Sequence, residues 1–384
     1  MIYLDNAATT SPKPQSVRRA MADAMNNLCA NPGRSGHKLS QNAAFGVYAT
    51  RQKAAAFFGE PGIENVIFTL NCTHAINYVL KGLLRPGDHV VTSSLEHNAV
   101  MRPLVQMMKE GVTFDVAEVA IGDPDATLRA FERTIRRDTR LVICTHASNV
   151  CGARLPIGRI GRLCRDRGVL FAVDAAQTAG VLPIDMQEIC IDYLCVAAHK
   201  GLYGPMGTGI LVAPGGGLEP LIAGGTGTAS ISMEQPDTMP ERYESGTVNT
   251  PGIVTLGAGL DFVSGKGVNK IYAHEMKLVR MLYDGLAKLR HARLYTMRPD
   301  ENFAPVLSFN IGAASSIETA GELDKAGFAV RAGLHCAPAA HKRIGTLEQG
   351  TVRVCPSVFT RAEDIEKLLF ALRRLDGKSR DIFY

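Results

Sequence analysis

The sequence predicts an α/β protein: a large domain on a mostly parallel, doubly wound sheet, and a smaller C-terminal α+β domain. Three observations carry this expectation. Short apolar runs alternate with helical stretches through the middle of the chain, the pattern that repeated strand–helix–strand units produce. Several of those runs are apolar throughout, as strands buried on both faces must be. After about Pro251 the alternation stops, and a long amphipathic stretch leads into mixed elements.

In chain order, strands are expected at Val66–Thr69, His89–Thr92, Phe114–Val119, Leu141–Thr145, Leu170–Val173 and Tyr193–Ala197. Helices are expected between them at Thr73–Leu84, Asn98–Lys109, Ala126–Arg136 and Ile157–Arg167. The last follows Pro156, a good helix opener. The stretch VAAHKGLYGPMGTGILV, Val196 to Val212, ends in an apolar, strand-like segment after a run broken by Gly and Pro. Beyond Pro251, Ile271–Leu289 reads as a long amphipathic helix. Strands follow at Pro305–Ile311 and Thr351–Val354, and helices at Ile317–Ala326 and Ala362–Leu375. No internal repeat and no low-complexity linker occurs, so the two parts are expected to share a long helix or a short hinge. The expected division is an arm at 1–14, a large domain at 15–256 and a small domain at 257–384.

Of the 384 residues, 46% are hydrophobic and 21% charged, a globular composition. No apolar run is long enough to span a bilayer. The start, MIYLDNAATT, lacks the basic and apolar regions of a signal peptide, so a cytoplasmic location is the default. The net charge is +5, but the cations are scattered, and Arg133, Arg136, Arg137 and Arg140 look like a solvated helix face. Without a basic stripe, nucleic acid is not an expected partner. Nine cysteines run from Cys29 to Cys355, with no CxxC and no zinc spacing. No metal is expected, and most thiols read as buried and inert in a reducing compartment. No GxxxxGK[ST] occurs, so a P-loop is not expected. The run Gly224–Thr228 is a weak dinucleotide signal and reads better as a close backbone approach at a dimer interface.

Ligands of open parallel sheets bind beyond the carboxyl ends of the strands. Those ends carry Thr73, then Glu96 and His97, then Asn149, then Asp174 and Gln177, then His199 and Lys200. Taken singly, an Asp there is a helix cap and a His a hydrogen-bonded structural residue. Taken together, an amine, a carboxylate, an imidazole and a helix N-terminus suit pyridoxal phosphate. The lysine forms a Schiff base with the aldehyde, and the carboxylate holds the pyridine nitrogen protonated. The imidazole stacks on the ring, and the helix N-terminus receives the phosphate.

The motifs NPGRSGH, EHNAV, SNVCG, VDAAQ, AHKGLYGPMGTG, ESGTVNTPGI and RAGLHC resemble those of cysteine desulfurases. These belong to the class V aminotransferase superfamily, of fold type I among pyridoxal phosphate enzymes. The similarity runs from YLDNAATT to TVRVCPSVFTRAEDIEKL, essentially the whole chain. The resemblance implies a homodimer with shared active sites that converts L-cysteine to L-alanine. It makes Lys200 the Schiff-base lysine and proton shuttle, places His97 over the ring and pairs Asp174 with its nitrogen. Gln177 and Asn149 would lie near the ring hydroxyl, and Thr73 and His199 at the phosphate. Thr247 would reach the phosphate of the neighbouring subunit. Arg353, with Asn149 and Arg331 nearby, would bind the substrate carboxylate, a task suited to a planar bidentate donor. Cys336 would be the persulfide-forming thiol, in a loop-like setting where His335 and Arg331 could favour the thiolate. Sulfur would then pass to an acceptor protein or small thiol. The short stretch from Cys336 to Arg353 resembles relatives that need an activating acceptor.

One departure stands out. Relatives carry Ser or Thr three residues before the lysine, where this chain has Ala197, and the expected consequence is weaker cofactor retention. Rival readings are an aminotransferase, a selenocysteine lyase or another β-eliminating enzyme, and a non-catalytic scaffold. Cys336 separates the first reading from aminotransferases, which need no thiol nucleophile.

Overall fold

A computed structural model describes residues 1–32 and 36–378. The motif NPGRSGH is therefore described only in part, since 33–35 lie outside those residues. The strands are β1 (Ile2–Tyr3), β2 (Val66–Thr69), β3 (His89–Ser93), β4 (Thr113–Ala117), β5 (Thr139–Thr145), β6 (Leu170–Asp174) and β7 (Tyr193–Ala197). They continue with β8 (Gly209–Val212), β9 (Ala292–Leu294), β10 (Leu307–Ile311), β11 (Phe328–Ala329), β12 (Arg331–Gly333) and β13 (Thr351–Val354).

The large sheet has seven strands in the order β2-β8-β7-β6-β5-β3-β4. Pairings among β7, β6, β5, β3 and β4 are parallel. β8 is antiparallel to both β7 and β2. Two reversals leave β2 pointing the same way as the parallel strands, so its carboxyl end lies on the same edge. Alternation along each strand sends neighbouring residues to opposite faces. Val66, Val142, Val173 and Leu194 pack on one face with helices Lys38–Phe57, Pro124–Thr134 and Ile157–Arg167. Ile67, Ile143, Ala172 and Cys195 pack on the other with helices Cys72–Leu83 and Asn98–Met108. This is the mostly parallel sheet with helices on both faces that the sequence predicts.

The smaller layer is a four-stranded antiparallel sheet, β12-β13-β10-β9. Phe309, Val352 and Val354 of that sheet share a core with Leu278 and Leu282 of helix Val268–Leu286 and Leu368 of helix Ala362–Lys378. Gly267, at φ +82°, separates helix Val268–Leu286 from helix Thr250–Lys266. The chain start joins this layer, because β1 pairs with β11 and Leu4 sits in its core.

Predicted and observed bounds coincide at Val66–Thr69, Tyr193–Ala197, Ile157–Arg167 and Thr351–Val354. The strand expected to run to Val119 ends at Ala117, on the sheet edge, where β4 is mostly exposed. Of three helices not expected, Thr250–Lys266 packs on both Gln15–Asn27 and Lys38–Phe57. Their seam is built on small residues. A Cβ at Gly257 would lie 2.6 Å from Thr50 Oγ1, and one at Gly46 2.9 Å from Val254 Cγ2.

Candidate active site

Every predicted strand-end residue lies on the shared carboxyl edge of the large sheet. Beyond β2, Asn71 Oδ1 accepts the His74 N–H at 2.9 Å and starts helix Cys72–Leu83. This leaves Thr73 exposed in the first turn, where backbone N–H groups have no partner within the helix. Beyond β3, His97 caps helix Asn98–Met108, its Nδ1 accepting the Ala99 N–H at 3.0 Å. The ring proton of neutral His97 is therefore on Nε2. Burial lowers the His97 pKa, Lys200, Arg353 and Arg102 lower it further, and Asp174 opposes them.

Beyond β6, Asp174 is 4% exposed. Its Oδ1 accepts the Ala176 N–H at 2.9 Å and the Cys72 S–H at 3.4 Å. Among the described residues, Oδ2 has no hydrogen-bond partner. Beyond β7, the Lys200 side chain makes no hydrogen bond or ion pair among the described residues. Burial lowers its pKa, while the Asp174 carboxylate works against that fall. The glycine after it is required by proximity, since a Cβ at Gly201 would lie 2.4 Å from the Ala179 carbonyl oxygen.

Side chains near the chain start, which sequence reasoning left without roles, hold this segment. The His199 carbonyl accepts from the Thr10 N–H at 3.1 Å, the Thr9 hydroxyl at 3.1 Å and Lys13 Nζ at 2.8 Å. The Thr10 hydroxyl also reaches the Lys200 carbonyl, at 3.0 Å. Burial draws the Lys13 pKa down to about 8. His199 Nδ1 is buried without a partner, and burial brings its pKa to about 4, aided by Lys200 and Lys13. Gln177 Nε2 donates to the Ala7 carbonyl at 3.1 Å.

Arg353 of β13 is 2% exposed. Its Nη2 meets Asp5 Oδ1 at 2.7 Å, and its Nη1 donates to the Asn149 backbone carbonyl at 3.0 Å. Its Nε is buried and unpartnered. The Asn149 side chain donates through Nδ2 to the His335 carbonyl at 2.8 Å. The Cys336 carbonyl accepts the Asn98 N–H at 2.8 Å. Cys336 is thus tied both to the Arg353–Asn149 pair and to the helix that His97 caps. Its own side is exposed, whereas seven of the other eight thiols are buried.

Four placements differ from expectation or add to it. His335 does not act as a cation for the Cys336 thiol: burial, with Arg353 and His341, pushes its pKa down to about 3. Arg331 is exposed opposite Arg353 in the β12–β13 register and makes no side-chain hydrogen bond or ion pair among the described residues. Cys72, given no role from sequence, sits on Asp174, and burial followed by the Asp174 charge keeps it a thiol. Thr247 is exposed in the irregular stretch between β8 and helix Thr250–Lys266. Among the described residues no cluster suits a metal ion, and no helix is long and apolar enough to cross a membrane.

The donor set fits pyridoxal phosphate. A half-buried amine without a polar partner, a carboxylate with one free oxygen, a neutral imidazole and an open helix N-terminus converge on one edge.

The chain matches the family described as aminotransferase class-V over residues 2–368. It is 35% identical to a probable cysteine desulfurase of Methanothermobacter thermautotrophicus, over 98% of this chain and 95% of that one. It is 32% identical to a cysteine desulfurase of Klebsiella pneumoniae, covering 98% and 93%. Among solved structures, an apo cysteine desulfurase from Thermococcus onnurineus superposes with a TM-score of 0.92 at 32% identity, covering 98% and 95%.

Proposed function

The chain belongs to the class-V aminotransferase family, and we propose that within it the protein is a pyridoxal phosphate-dependent cysteine desulfurase. It takes L-cysteine to L-alanine and passes the sulfur to a thiol of its own. The observation that carries this reading is a pairing. The unpartnered Lys200 beside Asp174 shares the sheet edge with Asn149, whose side chain holds the loop of an exposed thiol at Cys336.

Lys200 is the residue to bind the cofactor aldehyde through its amine. The free Asp174 oxygen is set to hold the pyridine nitrogen, and His97 the ring face. Gln177 and Asn149 retain their amide oxygens for the ring hydroxyl region. Thr73 and His199 stand toward the phosphate, completed by Thr247 of a second copy in a homodimer. When bound, the ring supplies a sink for the electron pair left at the substrate α-carbon. Burial favours the neutral Lys200 amine, which is the form able to take that α-proton. Arg353, buried and oriented by Asp5 and Asn149, receives the substrate carboxylate. The Cys336 thiolate attacks the substrate sulfur. The new S–S bond forms as the substrate C–S bond breaks, and carbon keeps the electron pair and gains a proton. L-cysteine and the Cys336 thiol thus become L-alanine and a Cys336 persulfide.

Cys336 is exposed, yet two carbonyls in its loop are pinned, so the acceptor thiol must come to it. The homodimer reading draws support from the irregular stretch between β8 and helix Thr250–Lys266, which holds the exposed Thr247 and in which Ile231 and Met233 are fully exposed at 102% and 106%. A cytoplasmic setting suits nine cysteines that are all free among the described residues. The proposed division keeps the arm 1–14, the large domain 15–256 and the small domain 257–384. Incubation with L-cysteine tests the function: alanine should form in step with persulfide on Cys336, and alanine formed without persulfide would defeat it.

A further inference from the structure

Beneath Cys336 lies a buried chain of three side chains that no step above uses. His335 Nδ1 and His341 Nε2 are 3.2 Å apart, and His341 Nδ1 and Thr346 Oγ1 are 2.7 Å apart. The two rings stack with centroids 5.4 Å apart and planes 13° from parallel. His335 is 5% exposed, and His341 and Thr346 are at 0%.

The two hydrogen bonds can run in either direction, as the ring tautomers set. The Arg331 carbonyl of β12 also acts on the His335 ring and the Thr346 backbone on the His341 ring. His335 Nε2 has no hydrogen-bond partner of good geometry. Both rings stay neutral, since burial brings His335 to about 3 and His341 to about 4.

The backbone above it needs support. His335 and Cys336 are consecutive non-glycine residues in the left-handed region, at φ +51° and +55°. Such residues persist where their surroundings over-determine them. The His335 carbonyl is held by Asn149, the Cys336 carbonyl by Asn98, and the Ala337 N–H by the Leu334 carbonyl at 2.9 Å. The ring of His335 is the remaining handle on this turn.

We propose that Thr346, His341 and His335 form a buried hydrogen-bonded strut that positions Cys336 for attack on the substrate sulfur. Thr346 and His341 are positioning residues, acting through His335 on the neighbouring nucleophile. The proposal rests on the desulfurase reading for its catalytic meaning, but the strut itself can be read without turnover.

Thr346→Val in the full-length holoenzyme removes the hydroxyl that meets His341 and keeps the shape. Single-turnover persulfide formation at Cys336 should fall roughly tenfold, equivalent to about 1.4 kcal/mol. KM for L-cysteine should stay within about twofold, because the hydroxyl touches no substrate-binding group. Thr346→Ser should restore the rate. Iodoacetamide labelling of Cys336 without substrate should shift in Thr346→Val and return in Thr346→Ser. If Thr346→Val does not fold, His341→Gln is measured instead, with the same expectation. Wild-type persulfide rates and labelling in the valine variant, or no recovery with serine, would overturn the strut. Absence of alanine formation by the wild-type enzyme would instead defeat the desulfurase reading, and the labelling result would still decide the strut.

Discussion

Lys200 and Cys336 occupy opposite kinds of ground. Lys200 follows β7, whose five residues are all buried, and its side chain is without polar partners among the described residues. Cys336 follows a three-residue strand, is exposed, and adopts a left-handed backbone. The amine is placed by a buried strand and by hydrogen bonds from Thr9, Thr10 and Lys13 to its backbone; the thiol is placed by hydrogen bonds to Asn149, to Asn98 and through His335. The difference suits the two proposed tasks. An amine that must be neutral to take a proton gains from a dry setting, because burial disfavours its charged form. A thiol that must hand sulfur outward has to remain reachable, so its order comes from fixed polar contacts.

The largest test of this contrast is Lys200→Ala. Alanine formation should fall by roughly 10²–10⁴-fold or more, the range typical of a lost acid–base group. Iodoacetamide labelling of Cys336 should be unaffected, since no bond joins the two side chains. Reduced labelling would show that the two regions are coupled.

Asn149→Ala should have an intermediate effect. It removes the bond that ties the Cys336 loop to the Arg353 segment. One hydrogen bond of about 0.5–1.5 kcal/mol implies a loss of up to roughly tenfold in persulfide formation. Stopped-flow chemical quench would read it, and an unchanged rate would show the loop to be held without Asn149.

Glu96, fully buried between β3 and β5, tests the core side by pH. It accepts from Ser93 Oγ and from the Thr145 N–H at 2.9 Å, and burial pushes its pKa to about 8 from an ordinary 4.5. A raised acid stabilises fully below the unfolded value. That stability declines as pH rises from 4.5 and is lost as pH passes about 8. The slope for one proton is at most about 1.4 kcal/mol per pH unit. Glu275, also raised to about 8 by burial, contributes the same way. Glu96→Gln should therefore flatten part of the decline in denaturant stability between those limits. An equally steep curve would place the proton elsewhere.

Ala197→Ser should have the smallest effect. Ala197 ends β7 at 2% exposure, in the apolar cluster that holds Cys72 and Ala75 of helix Cys72–Leu83. A hydroxyl there should slow cofactor loss by about two- to fivefold, the worth of one modest hydrogen bond. Dialysis followed by absorbance reads it, and an unchanged loss rate would show that Thr73 and the backbone N–H groups suffice.

What the sequence revealed follows the same divide. The β2, β7 and β13 bounds were legible because each short run is bracketed within two residues, by Asn65 and Asn71, by Asp192 and His199, and by Gly350 and Pro356. Lys200, Asp174 and His97 were legible because strand order alone sends them to one edge. The antiparallel direction of β8 was not, since an apolar run carries no direction. Helices Lys38–Phe57 and Thr250–Lys266 were obscured by the small residues that let them approach. Nothing local marks Lys13 as a partner of the His199 carbonyl, 186 residues away. Likewise the neutrality of His335 depends on burial, and the sequence shows only its nearness to a cysteine.

The central claim is that one protein couples the amine at Lys200 to the thiol at Cys336. The most direct measurement is a single turnover with L-cysteine labelled in sulfur, comparing wild type with Cys336→Ala and counting alanine and protein-bound label together. The account predicts equal amounts of alanine and labelled Cys336 in the wild type, and loss of both in the variant. Normal alanine formation with the label still bound to protein in Cys336→Ala would contradict it.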